Sequence, residues 1–375
     1  VSRNASRILF FLHSLAGGGA ERVAAALLNA WASEGRDVTL LTNEGPASDA
    51  YPLDPRVRRE TLGLASPSSS PAGAIWRNVQ RVRALRGVLT RLQPDIAIAF
   101  MTTSNILLAL ARGAGRGIAI GAERVHPPAM PLGVSWEALR WWTYGRLDGV
   151  VAQTERSAAW IRSHTRARAV RIIPNPVAWP LTAQGAGRSP GSVGVAERKR
   201  LLGAGRLEPQ KGFDQLIDAF AAVNAPDWEL VILGEGALRP ALEERVTRAG
   251  MEDRIFLPGA VSNIGDWYQH ATLFGLSSSY EGFPNVLAEA MAHGLPVVSF
   301  NCDTGPADLI EDGVNGLLVP PGDAAGFRGA LERLMRDAEL RRQLGARATD
   351  VRERFALPAV LRQWQQFMGD VALRQ

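Results

Sequence analysis

Glu281 and Glu289 stand eight positions apart in the stretch from Ser277 to Pro296. Pro284 suits the start of a helix, because it has no N–H to leave unpaired there. Gly294, with Pro296 just beyond, suits the end. The spacing predicts the first carboxylate in a loop and the second inside the helix. The backbone N–H groups from Gly282 through Phe283, Pro284 and Asn285 to Val286 then surround a helix start that favours an anion. Upstream, Arg206 and Lys211 bracket a turn between a strand-like run and a helix-like run. Two cations there can neutralise charge growing on a departing diphosphate. Carboxylates for hydroxyls and cations for phosphate together fit a nucleotide sugar. The same residues also fit a capped surface helix with solvated glutamates and a surface pair of Arg206 with Glu208.

The elements that would hold these groups repeat along the chain. Arg7–Leu12 is an apolar, β-rich run, broken by Gly17, Gly18 and Gly19, and followed by a helical pattern from Ala20 to Ser33 and a second strand-like run ending at Thr42. Further apolar runs at 95–100, 117–121, 149–152 and 170–173 read as buried parallel strands. A Pro/Gly/Ser-rich segment, 174–197, reads as a linker. A second series then begins, with runs at 201–204, 229–233, 254–257, 273–276, 296–300 and 316–319, and a last helix from Leu357 to about Phe367. The fold class is α/β, two doubly wound, Rossmann-like parallel-sheet domains. Glycines after strands, at Gly18, Gly19 and Gly234, allow phosphate to approach the backbone. Turns after strands commonly hold glycine in any case.

The chain has 375 residues, 46% hydrophobic, with one cysteine, Cys302. That length suits two domains. No apolar run is long enough to span a bilayer, no signal peptide is expected, and no His/Cys cluster has metal-ligand spacing. A single cysteine fits a reducing, cytoplasmic setting. Residues 1–190 hold 23 Arg, no Lys and 12 acidic groups, a surplus of +11; the remainder is at −6. A basic half points to an acidic partner such as anionic lipid or a lipid diphosphate, or to plain solubility. No nucleic-acid-binding signature is present. Arg77, Arg81 and Arg86 recur on a predicted helix from Ala74 to Leu92, with Val79, Val82 and Leu89 available for the core. The Trp136–Arg146 stretch mixes aromatics with arginine, which suits a membrane interface; helical spacing would equally bury Leu139 and Trp142, and packing is the default.

The Glu-x7-Glu helix with Arg206 and Lys211 resembles the retaining glycosyltransferases of family four, and the likeness runs along nearly the whole chain. The resemblance implies the GT-B fold: an acceptor domain at 1–180, a nucleotide-sugar domain at 198–355, an interdomain cleft, and a helix at 356–375 crossing back to the first domain. It implies that Glu281 approaches the donor sugar, Glu289 holds the ribose hydroxyls, and Arg206 and Lys211 hold the diphosphate. It places Gly18, Gly19, Gly234, Glu235 and Val261 near the donor, and puts His126, or equally Arg124, beside its sugar. The implied reaction is metal-independent, retaining hexosyl or N-acetylhexosaminyl transfer from a UDP-sugar. No cofactor is implied beyond that co-substrate. The acceptor would be a glycan or a polyprenyl-diphosphate-linked glycan in bacterial polysaccharide assembly, peripheral on the inner face of the plasma membrane. Glu281 is open as nucleophile or positioning group. A sugar-nucleotide epimerase and a non-catalytic nucleotide-sugar-binding protein are the alternatives.

Overall fold

The computed structural model describes residues 7–65, 70–113, 117–181 and 187–374. The chain divides into two compact units, one of residues 1–175 together with 360–375, the other of residues 176–359. The division falls at the start of the predicted linker, whose residues from Pro176 on belong to the second unit, with Val177 and Val193 in its core; residues 182–186 lie outside the described set.

The first unit carries seven parallel strands: β1 (Arg7–Leu12), β2 (Asp37–Thr42), β3 (Arg58–Thr61), β4 (Ile96–Phe100), β5 (Ile118–Ala122), β6 (Gly149–Ala152) and β7 (Val170–Ile172). Their order is β3-β2-β1-β4-β5-β6-β7. The second unit carries six: β8 (Lys199–Ala204), β9 (Trp228–Leu233), β10 (Ile255–Gly259), β11 (Leu273–Leu276), β12 (Val297–Phe300) and β13 (Leu317–Val319), ordered β10-β9-β8-β11-β12-β13. In both sheets the order reverses beside the first strand. Such a reversal opens a crevice at the carboxyl ends of the two strands that flank it. Those ends belong to β1 and β4 in one unit and to β8 and β11 in the other.

Every expected strand is present, and one was not expected: β3, whose Arg-Arg-Glu-Thr sequence gives no apolar signal; it is an edge strand paired to β2. The final helix, Leu357–Ala372, buries Val360, Trp364, Phe367, Met368 and Val371. From Val360 onward it belongs to the first unit, where Trp364 meets Trp31 edge-on and stacks on Phe100. Large aromatics at helical spacing, each burying 150–250 Å², fix its position there.

Two helices of the first unit depart from the sequence reading. In Pro71–Leu92, Val79 is exposed, not core. Arg81 bonds the Leu64 carbonyl twice, at 2.9 and 2.7 Å, and Arg86 bonds that of Leu110 at 2.8 Å, so Arg81 ties down a loop and Arg86 the last turn of the helix Thr102–Ala111. In Val134–Thr143, Leu139 and Trp142 face out. The inward places go to Arg140 and Thr143, with Trp136 packed against the core. The reason is Glu123, buried at the end of β5: Arg140 lies 3.7 Å from it, and Tyr144 and Thr102 donate hydroxyls to it. Satisfying a buried carboxylate outweighed burying one more Leu and one more Trp.

Candidate donor site

In the second unit the reversal brings together the loops after β8 and β11. After β8, the backbone turns at Gly205 and Gly212 and forms a short 3₁₀ turn, Pro209–Lys211, before the Phe213–Ala221 helix. After β11, Ser277–Pro284 leads into the Asn285–Ala292 helix. Hydrogen bonds clamp one loop to the other. Ser277 donates to the Lys211 carbonyl at 2.8 Å, Gln210 to that of Tyr280 at 2.8 Å, and the Ser279 N–H to that of Gln210 at 2.8 Å. Gly212 has φ 58°, and a β-carbon there would strike the Ser277 carbonyl, so glycine is needed for this approach.

The clamp aligns an ion pair. Lys211 Nζ stands 2.6 Å from Glu281 Oε1, and the side chains are only 14% and 8% exposed. An ammonium has three hydrogens, so two remain for phosphate oxygens. Thr304 donates its hydroxyl to the Glu281 carbonyl. Gly305, at φ 100°, lets the next turn press against Pro284 and Glu281. Arg206 is different. It is 68% exposed and, among the described residues, its guanidinium pairs with Glu208, at 3.3 Å. Lys211 is thus held inside the site, and Arg206 is an exposed cation on the same loop.

The Asn285–Ala292 helix has Pro284 as its N-cap residue and no side-chain cap. Pro284 therefore sits one position before the first helical residue. Glu289 is buried within the helix, and the Tyr268 hydroxyl lies 3.2 Å from its Oε2. Phe283 turns its ring into the core against Phe355, and Val286 packs beside the same core. Gly234 has φ 139°, and a β-carbon there would collide with the Gly205 carbonyl, so the loops after β8 and β9 touch. Glu235 pairs with Arg239 at 2.8 Å, which holds its carboxyl below the usual range. Val261, after β10, is partly buried against the core. Beside the site, burial, with Glu281 adding to it, pushes the Cys302 thiol up to about 12.

The first unit gathers a second polar group at its own reversal. Met101, after β4, has φ 77°, a strained value for a side-chain-bearing residue. Arg124, after β5, is buried. It bonds Asn175 and lies 4.3 Å from the Phe100 ring centroid, and its Nε lacks a hydrogen-bond partner among the described residues. Burial pulls its guanidinium down to about 9. His126 is buried too, with Nδ1 3.0 Å from the Ser157 hydroxyl. The Gly18 N–H donates to Tyr51 at 3.2 Å, and Gly19 opens the first helix. A β-carbon on Gly18 would strike the Glu21 carboxylate, so this loop already faces an anion.

Sequence reading missed the partners more than the principals: Tyr268, Thr304, Gln210 and the Glu123–Arg140–Tyr144 group.

Two family models match along the chain: Glycosyltransferase Family 4 over residues 17–178, and Glycosyl transferases group 1 over residues 191–351. The chain is a family-four glycosyltransferase. An amylovoran biosynthesis glycosyltransferase of Erwinia amylovora is 26% identical to it, over 94% of this chain and 96% of that one. A lipopolysaccharide core biosynthesis glycosyltransferase of Rhizobium meliloti is 29% identical over 88% and 89%. An exopolysaccharide phosphotransferase of Streptomyces coelicolor is 31% identical over 84% of the glycosyltransferase, which spans only 33% of that longer protein. Among solved structures, sucrose-phosphate synthase of Thermosynechococcus elongatus superposes with a TM-score of 0.84 at 20% identity, covering 98% of this chain and 99% of that one. Anabaena HepE, solved with UDP and glucose, superposes at 0.78 and 21% identity, covering 97% and 99%. The two parallel sheets are those of the GT-B fold.

Proposed function

We propose that this glycosyltransferase moves a sugar from a UDP-sugar, with retention and without a metal, to a glycan or polyprenyl-diphosphate-linked glycan in polysaccharide or lipopolysaccharide assembly. The observation that carries the reading is the buried Lys211–Glu281 pair at the reversal of the second sheet. It sets a cation for the diphosphate and a carboxylate for the sugar within one hydrogen bond of each other. Arg206 closes on the diphosphate from its exposed position, and the uncapped helix start at Pro284 adds a partial positive charge. Glu289 takes the ribose hydroxyls. The β-phosphate oxygen that leaves the anomeric carbon accepts the proton of the acceptor hydroxyl as the new glycosidic bond forms on the same face. Glu281, neutralised by Lys211, acts as a positioning group. The first unit takes the acceptor, with Arg124 and His126 at its polar end. The relatives' roles in amylovoran and lipopolysaccharide core biosynthesis, and the UDP and glucose bound to HepE, support this choice of donor and acceptor class.

The test is a donor screen with and without a chelator, following UDP release and product mass. UDP and a glycoside formed in chelator support the reading. A strict need for Mg²⁺ or Mn²⁺, or an isomerised sugar nucleotide as sole product, would contradict it.

A further inference from the structure

The helix Val134–Thr143 of the first unit is amphipathic the wrong way round for a soluble surface. Its outer face shows Val134 at 89%, Leu139 at 36%, Trp141 at 49% and Trp142 at 43% exposure, and Met130 is exposed just before it. Its inner face buries Arg140. Isolated exposed apolar residues need no explanation, but a contiguous stripe with two tryptophans does. Both rings are flanked by cations: Arg166 lies 4.5 Å from the Trp141 centroid and Arg146 5.1 Å from that of Trp142. The loop that brings Arg166 to Trp141 runs on through Ala167 and Arg168 into the lining of a hollow of about 360 Å³. Arg162, Arg171 and Arg374 also line it. Its one acidic lining residue, Asp370, is paired with Arg171, and Arg162 holds Glu155 at 2.8 Å. Arg146, Arg166, Arg168 and Arg374 have no carboxylate partner among the described residues.

We infer that this face seats on an anionic lipid bilayer, with Trp141, Trp142, Leu139 and Val134 in the interfacial zone and the arginine-lined hollow on lipid phosphates. The inference deepens the reading of a membrane-borne acceptor and rests on it for its purpose, though its measurement is independent. Charge decides the occupant. Indole rings beside guanidinium groups match the headgroup level of a bilayer, where the apolar body is buried and the cation meets phosphate. A second copy of this chain would bring the same uncompensated arginines against themselves. The basic excess of residues 1–190 adds long-range attraction to the same surface. Of the arginines expected from sequence, Arg77, Arg81 and Arg86, the last two bond the carbonyls of Leu64 and Leu110; the docking cations are those that clasp the tryptophans.

The experiment is co-sedimentation of the whole chain with phosphatidylcholine vesicles and with phosphatidylcholine–phosphatidylglycerol vesicles over a salt series. Binding should appear on the anionic vesicles and fade as salt rises. Trp141→Ser with Trp142→Ser, and separately Arg166→Glu with Arg168→Glu, should each weaken it on the order of tenfold or more. A circular-dichroism spectrum and an unfolding midpoint like those of wild type show that both variants are folded, and UDP affinity, assigned to the other unit, should stay unchanged in both. Equal binding to neutral and anionic vesicles, or full binding by either variant, would overturn the inference. So would a wild-type dimer in solution that the tryptophan variant abolishes, since that would assign the face to a second copy. If vesicle binding behaves as expected but no donor is turned over, lipid docking stands and the transfer reading fails.

Discussion

Lys211 and Arg206 are both assigned to the diphosphate, yet their surroundings predict different consequences of removing them. Lys211 is 14% exposed and 2.6 Å from a Glu281 that is 8% exposed. Truncating it in Lys211→Ala leaves a carboxylate in a place from which water is nearly excluded. Breaking such a pair from one side typically costs about 3–5 kcal/mol. Both side chains keep a little contact with solvent, so a loss near the lower bound, about 3 kcal/mol, is expected. Arg206 is 68% exposed and 3.3 Å from Glu208. An exposed pair contributes about 0–1 kcal/mol, so Arg206→Ala should be nearly silent in stability. In catalysis the two should converge, each losing on the order of 100-fold or more in kcat, as when one preorganised donor is removed from developing charge. The double change Lys211→Met with Glu281→Gln should recover most of the stability and none of the activity. The assays are urea unfolding and initial rates of UDP release. A destabilised Arg206→Ala, or a Lys211→Ala as stable as wild type, would refute the reasoning from burial. Full activity in either single variant would remove that residue from the diphosphate.

Other outcomes follow from the same geometry. Glu289→Ala should weaken UDP binding by roughly 10- to 100-fold in calorimetry, the loss of a charge-assisted hydrogen bond of about 1.5–3 kcal/mol; unchanged affinity would detach Glu289 from the ribose. Cys302, buried with its thiol pushed up to about 12, should resist thiol reagents in the native chain and react after denaturation; fast native alkylation would contradict the packing around Glu281. Arg124 is a buried cation whose Nε has no hydrogen-bond partner among the described residues, so Arg124→Met should stabilise the chain by about 1 kcal/mol or more while lowering acceptor turnover at least about tenfold. Lower stability with intact turnover would make Arg124 a structural residue.

The fold was legible where burial writes itself as apolar runs. Twelve of the thirteen strands follow from such runs, and Arg58–Thr61 does not, because an edge strand beside solvent needs no apolar residue. The ends of the second-unit site were legible for a related reason. Glycine at 212 and 234 marks places where backbones touch, and the Glu281–Glu289 spacing marks a loop-to-helix junction. Interactions across the sheet were not legible. Nothing in the sequence ties Thr304 to Glu281 or Tyr268 to Glu289, which are 23 and 21 positions apart. Helical spacing alone put Leu139 and Trp142 inside, because it could not see Glu123 waiting for Arg140. The same substitution of a polar pair for apolar packing left the tryptophans outside.

The central claim is retaining transfer from a UDP-sugar at the Lys211–Glu281 site. It is tested most directly by proton NMR of the reaction as it runs, in chelator, with an α-linked UDP-sugar and a polyprenyl-diphosphate-linked acceptor. The account predicts UDP and an α-glycoside as the first products, with neither formed at a measurable rate by Lys211→Ala. A β-glycoside as first product, an isomerised sugar nucleotide without glycoside, or undiminished turnover by Lys211→Ala would contradict it.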